Sequence, residues 1–123
     1  MVDVSKVLGS KESPLLLIPK WNHNDDLPDD QRVKIWYYQV DTEESRRYGK
    51  RYERLNISAQ HDIQKKIFVD HVVAIENLSF NGTPINNGED FYRFKMPNKL
   101  FEEIVLAITD RGESGLSDGL LGN

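Results

Sequence analysis

The segment 63–108 does most to restrict what this chain can fold into. Ile63, Ile67, Phe68, Val72 and Ile75 fall at helical spacing, so an amphipathic helix is expected over 58–76, capped by Ser58 and running on toward Leu78. Asn81-Gly82 comes next, the dipeptide that best tolerates the left-handed backbone of a tight turn. Leu78-Ser79-Phe80 and Thr83-Pro84-Ile85 flank it as a very short hairpin, in which Pro84 lacks the N–H that a ladder uses. A short helix is expected from Asn87 to about Lys95. Pro97 then suits the first turn of a last helix, 97–110, where Leu100, Phe101, Ile104, Val105 and Ile108 share one broad face and Gly112 supplies the stop. Two helices with wide apolar faces around a fixed turn are packing and binding equipment. They carry no recognisable catalytic constellation.

Upstream the period changes. Arg32 to Val40 alternates, with Val33, Ile35 and Tyr37 on one side and Lys34, Trp36, Tyr38 and Val40 on the other, which predicts a strand covered on both faces. Leu15 to Trp21 reads as a second strand, held to an edge position by Pro19. The polar stretch 22–31 joins the two as a long-looped hairpin. Asp41-Thr42-Glu43-Glu44 starts a helix over 42–54 in the pattern of a capping box, with Tyr48, Tyr52 and Leu55 on one face. The expected fold class is therefore α+β: one predominantly helical domain, 14–110, with an N-terminal two-stranded β unit. Residues 1–13 form a mobile arm and 111–123, rich in glycine and serine, a flexible tail.

Composition sets the class. A chain of 123 residues matches one domain. With 38% hydrophobic and 29% charged residues it has enough apolar mass for a core and a strongly polar surface. It has no cysteine, which removes disulfides and thiolate metal sites. Leu15-Leu16-Leu17-Ile18 is far too short to span a bilayer, and the N-terminus has neither the basic start nor the apolar core of a signal peptide. The expectation is a protein that stays in the compartment where it is made.

Candidate sites compete with plainer readings. His23, His61 and His71 each have a carboxylate nearby, in Asp25, Asp62 and Asp70. His61 and His71 lie ten residues apart on one predicted helix, about 15 Å along its axis, too far to share a metal ion. Surface or half-buried histidines are the expectation. Asp25, Asp26, Asp29 and Asp30 depart from the calcium-loop spacing and lack its glycine, so a solvated loop is expected. Nucleophile elbows and phosphate loops are missing from the sequence. Neither a cofactor nor an enzymatic activity is expected. Arg47, Lys50, Arg51 and Arg54, with Arg46 beside them, share one helix face behind Trp36, Tyr37 and Tyr38. Basic residues near aromatics can hold nucleic acid, but a net charge of −4 and the flanking Glu43, Glu44 and Glu53 favour an acidic protein segment.

From Phe68 onward the chain resembles the tail assembly chaperones of long-tailed bacteriophages and related prophages. The resemblance rests on Val72-Val73-Ala74-Ile75-Glu76-Asn77-Leu78, on the turn Asn81-Gly82-Thr83-Pro84-Ile85, and on Leu100-Phe101-Glu102-Glu103-Ile104-Val105-Leu106-Ala107-Ile108. It covers about a third of the chain. It implies a non-enzymatic helper in the host bacterial cytoplasm that coats the tape-measure protein until tail-tube subunits replace it, with self-association as a further contact. The strand 32–40 departs from a plain helical chaperone. Arg47, Lys50, Arg51, Arg54, Ile104, Val105 and Ile108 are the candidate partner-binding residues. The rival readings are a structural virion component, such as a head–tail joining or tail-associated protein, and a nucleic-acid-binding regulator acting through the basic helix. A frameshifted longer form would be encoded by a slippery heptamer near the codons for Leu121 to Asn123.

Overall fold

A computed structural model describes residues 1–53 and 55–109, and the side chains of all of these except 50–53. The elements run α1 (Val4–Leu8), β1 (Leu15–Leu17), two short 3-10 segments (Trp21–Asp26 and Asp29–Gln31), β2 (Lys34–Tyr37), α2 (Thr42–Glu53), α3 (Ile57–His71), β3 (Val72–Glu76), β4 (Ser79–Phe80), β5 (Thr83–Pro84), α4 (Gly88–Arg93) and α5 (Asn98–Ile108). The domain is α+β and mainly helical, as expected. The tail 111–123, the Gly112 stop and Arg54 lie outside the described residues.

The expected N-terminal hairpin forms: β1 pairs antiparallel with β2, Leu16 facing Trp36. A third strand joins it. The predicted helix 58–76 stops at His71, and Val72–Glu76 crosses antiparallel to β2 as β3, giving the order β1-β2-β3. The reason for the error is physical. Tyr37 lies opposite Val72 while Trp36 lies opposite Ala74, so Val73 is an extra residue in a β-bulge. A bulge shifts the strand's phase by one position, so Val72 and Ile75 are both buried although three residues apart. That spacing imitates a helix face. The β-branched run Val72-Val73 and its pairing with β2 decide the matter for strand.

The strand ends at Asn77, whose left-handed backbone (φ 61°) lets its side-chain amide donate to the carbonyls of Arg32 at 2.8 Å and Asp30 at 3.1 Å. β4 and β5 form the short hairpin, with Asn81 (φ 48°) and Gly82 (φ 82°) supplying the two positive φ angles of its turn. Pro84 takes the end pair opposite Ser79, and the next residue, Ile85, restores the ladder by donating its N–H to Leu78 at 2.9 Å.

Caps differ in detail from expectation. Asn56, not Ser58, caps α3 by accepting the N–H of Ala59 at 2.9 Å. Asp41 accepts the N–H of Glu44 at 2.8 Å, but the Glu44 carboxylate turns to His71, so that box is half closed. Pro97 is the N-cap of α5 and not its first helical residue. The arm contains α1, capped by Asp3, and Leu8 accepts the N–H of Gln39 at 2.8 Å.

The core lies between the sheet and the helices α3, α4 and α5. Ile35, Phe68, Ile85, Leu100, Ile104 and Ile108 are its most enclosed members. Gly88 lets α4 start against the end of α3: a Cβ there would stand 3.0 Å from the Val69 Cα and 3.1 Å from the Phe68 carbonyl oxygen. That close approach fixes where α4, and the loop after it, sit over Phe68.

Candidate functional site

Three features outside the plain core carry chemistry or surface: an aromatic cleft beside α4 and α5, the pair of buried His71 with Glu44, and the start of the basic helix α2, where Arg46 and Arg47 are exposed.

The cleft is built from local sequence. Asn87 caps α4 by accepting the N–H of Asp90 at 2.9 Å, and Asp90 in turn accepts the N–H of Asn86 at 3.0 Å. Such reciprocal capping holds a helix too short to stand on its own hydrogen bonds. Phe94 leaves α4 in an extended conformation and Pro97 restarts the chain as α5, so 94–97 bridges the two helices. Phe91, Tyr92, Phe94, Met96, Asn98 and Phe101 then line a cleft of about 230 Å³. Stacked rings set its floor. Phe101 lies on Phe68 at 5.2 Å and 22°, Phe94 on Phe80 at 5.1 Å and 19°, and Tyr92 meets Phe68 edge-on at 5.2 Å. Tyr92, Phe94, Met96, Phe101 and, one turn on, Val105 are only half-buried. Burial pushes the Tyr92 phenol up to about 12 from its ordinary 10.0, because the phenolate would lose water here.

The histidine pair links three elements. His71 ends α3 and is 1% exposed, which corrects the expectation of a surface or half-buried residue. Its Nδ1 lies 2.8 Å from the Tyr38 carbonyl oxygen and its Nε2 2.9 Å from Glu44 Oε2. A carbonyl only accepts, so Nδ1 carries a proton. Nε2 faces a carboxylate, so a further proton lies between them, on the imidazole or on the carboxyl. The Tyr38 ring covers the imidazole at 4.1 Å. Desolvation, then Glu44, Asp70 and Glu12, raise the Tyr38 phenol above its ordinary range. The pair fastens the start of α2 to the α3–β3 junction. Beside it the Ser45 hydroxyl is buried with no hydrogen-bond partner among the described residues.

Among the described residues, the predicted partner-binding side chains do not gather into one face. Ile104 and Ile108 are 0% and 1% exposed and belong to the core, so neither can be a contact in this fold. They fill the space above the sheet that a wide apolar helix face must fill in a domain this small. Val105 is half-buried beside Phe101 and remains on the accessible side of α5. Arg47 is exposed, its guanidinium 5.7 Å from the Tyr48 ring centroid. The side chains of Lys50 and Arg51, and all of Arg54, lie outside the described residues. The aspartates of the loop do not converge: Asp29 pairs with Lys34 at 3.1 Å, and His23 stands 3.8 Å from Asp26. His61 is exposed near the start of α3, remote in sequence from His71 at its end. Among the described residues no group of three or more histidines and carboxylates could hold a metal ion, and no helix is long and apolar enough to cross a membrane.

The cleft residues were missed as a site. Their signal was a cluster of three aromatics, Phe91, Tyr92 and Phe94, with Met96 and Phe101 after them, more than one short helix can bury on a single face. No protein-family model matches the chain, no curated protein is detectably similar to it in sequence, and no solved structure is detectably similar in fold.

Proposed function

We propose that this chain acts by binding, as a tail assembly chaperone of a long-tailed bacteriophage or prophage, holding an apolar-striped helix of the tape-measure protein in the host cytoplasm until tail-tube subunits take its place. The observation that carries the reading is the half-buried set Tyr92, Phe94, Met96 and Phe101 lining an open cleft, with Val105 half-buried one turn further along α5. A long helix with an apolar stripe aggregates unless another apolar surface covers it, and a cleft walled by two helices is suited to that task. The resemblance of residues 72–108 adds support from a separate direction: the segment that carries it includes α5, which supplies Phe101 to the cleft, and the tight hairpin, whose Phe80 stacks on Phe94.

Quantitative mass spectrometry of purified particles, beside complexes isolated from infected cells on a tagged tape-measure protein, tests the reading. The expected result is the chain bound to the tape measure in the cell and missing from particles. A fixed stoichiometry in particles would make it a structural component instead. Failure to recover it with the tape-measure or tail-tube protein would overturn the reading.

A further inference from the structure

The cleft has a charge as well as an apolar floor. From Phe91 to Phe101 the sequence holds three cations, Arg93, Lys95 and Lys99, and no carboxylate, in a chain of net charge −4. Lys65 reaches in from α3, its ammonium 5.9 Å from the Tyr92 ring centroid. Arg93 is partly committed to Asp90 at 3.6 Å. Lys65, Lys95 and Lys99 are exposed and make no ion pair among the described residues. Two carboxylates adjoin this segment: Asp90, already engaged by Arg93 and by the Asn86 N–H, and Glu102, which follows Phe101 on α5.

We infer that the cleft is a docking site for an acidic amphipathic helix. An apolar side chain enters between Phe94, Met96 and Phe101, and carboxylates on the flanking turns meet Lys65, Lys95 and Lys99. The inference rests on the binding reading above and gives the partner its chemistry. Charge complementarity selects the occupant. Lys65 lies over Tyr92, Lys95 and Lys99 are interleaved in sequence with the lining residues, and none of the three has an ion-pair partner among the described residues. Beside an aromatic floor they attract carboxylates held next to an apolar anchor. The cleft is walled by two helices, so it offers no strand edge for an extended peptide to extend. Bases need open ring faces, whereas Phe94 and Phe101 each have a face packed on Phe80 and Phe68. Insertion into an anionic membrane needs protruding apolar groups, and here the rings line a depression.

The experiment measures binding of the full chain, by fluorescence anisotropy, to labelled synthetic helices of about 20 residues with leucine at positions i, i+3, i+4 and i+7. Three versions flank the leucines with glutamate, glutamine or lysine; oligo-dT and phosphatidylglycerol vesicles are the remaining probes. The glutamate version is expected to bind about tenfold more tightly than the glutamine version at low salt, and to lose most of that advantage at high salt. The double variant Lys95→Glu/Lys99→Glu, at exposed positions with no ion pair among the described residues, should reverse the preference toward the lysine version while keeping the circular dichroism spectrum of the parent. Equal affinity for all three peptides, no change in the double variant, or tighter binding of oligo-dT or vesicles each overturns the inference. The two readings fail separately. A tape-measure fragment that binds both proteins equally removes the acidic-helix site and leaves the chaperone. Selective binding of the glutamate peptide without any tail protein in the cell does the opposite.

Discussion

The two sides of this domain are held by different means. Around the β1–β2 loop and α2, single polar atoms fasten one segment to another. Asn24, 2% exposed, donates to the carbonyls of Pro19 and Val33 at 2.9 and 3.1 Å and accepts the Val33 N–H at 2.7 Å. Glu103 accepts the N–H groups of Lys20 and Trp21 at 2.8 and 2.9 Å, tying α5 to the same loop. His71 ties α2 to the sheet. Around α4 and α5, aromatic area is the cement: Phe68 touches Phe91, Tyr92 and Phe101 with ring centroids 5.0 to 5.2 Å apart. Apolar burial is non-directional and grows with area, so the aromatic side tolerates adjustment and can expose part of its surface as a cleft. A buried hydrogen bond is directional and costs most when one partner is removed, so the polar side has little freedom.

The largest expected effect lies on the aromatic side. Phe68 is 1% exposed and serves both the core and the floor of the cleft. Phe68→Ala should cost about 3–5 kcal/mol, the range for deleting a fully buried phenylalanine. Urea titration followed by tryptophan fluorescence measures it. A loss under about 1 kcal/mol would mean that the neighbouring rings close the cavity, and that this side is more plastic than its packing implies.

The polar side is tested by His71→Leu, which fits the space but leaves the Tyr38 carbonyl and the Glu44 carboxylate without their partner. The expected cost is about 2–3 kcal/mol, below that of a fully buried ion pair because the Glu44 side chain is 24% exposed. Glu44→Gln should cost about 1 kcal/mol or less, since its amide can donate to Nε2 of a neutral imidazole and the contact survives. The same denaturant titration ranks the two. A neutral His71→Leu would show that the polar fastening of α2 is dispensable, and the contrast between the two sides would go with it.

What could be read beforehand follows the same division. The apolar stripe Ile63, Ile67 and Phe68, the β1–β2 pairing and the Asn81-Gly82 turn were legible because each is fixed by a period or by local backbone preference. Asn24 was not, since nothing local marks which asparagine of a polar loop turns inward. The left-handed backbone of Asn22 (φ 54°) and His23 (φ 59°), which shapes the chain just before it, is a tertiary outcome. β3 was hidden because its bulge copies a helical spacing, and only the partner strand distinguishes the two. Ile104 and Ile108 looked like contact residues for the converse reason: a pattern shows that a helix face is apolar and not whether the same chain covers it. The cleft emerges only when Gly88, the capped α4 and Pro97 bring Phe91 to Phe101 around one depression.

The smallest effect is the alkaline behaviour of Tyr92, the cleft's one phenol. Its folded-state value is raised from 10.0 to about 12 by desolvation. The sign follows directly. Below pH 10 the phenol is protonated in folded and unfolded chains alike and contributes no pH dependence. Between pH 10 and about 12 the unfolded chain releases the proton while the folded chain keeps it, so stability falls with rising pH across that window. Tyr92→Phe removes this contribution, and the variant should lose less stability than the parent over the same pH range. The phenol is only half-buried, and solvent limits the size of the effect. Tyr38 is raised in the same direction by desolvation and by Glu44, so part of the alkaline loss must survive in the variant. Thermal melts of both proteins at a series of alkaline pH values make the comparison, with phenolate absorbance to count ionised tyrosines. Identical slopes would mean that water reaches Tyr92 freely, and a cleft that wet would not have the dry floor on which an apolar anchor depends.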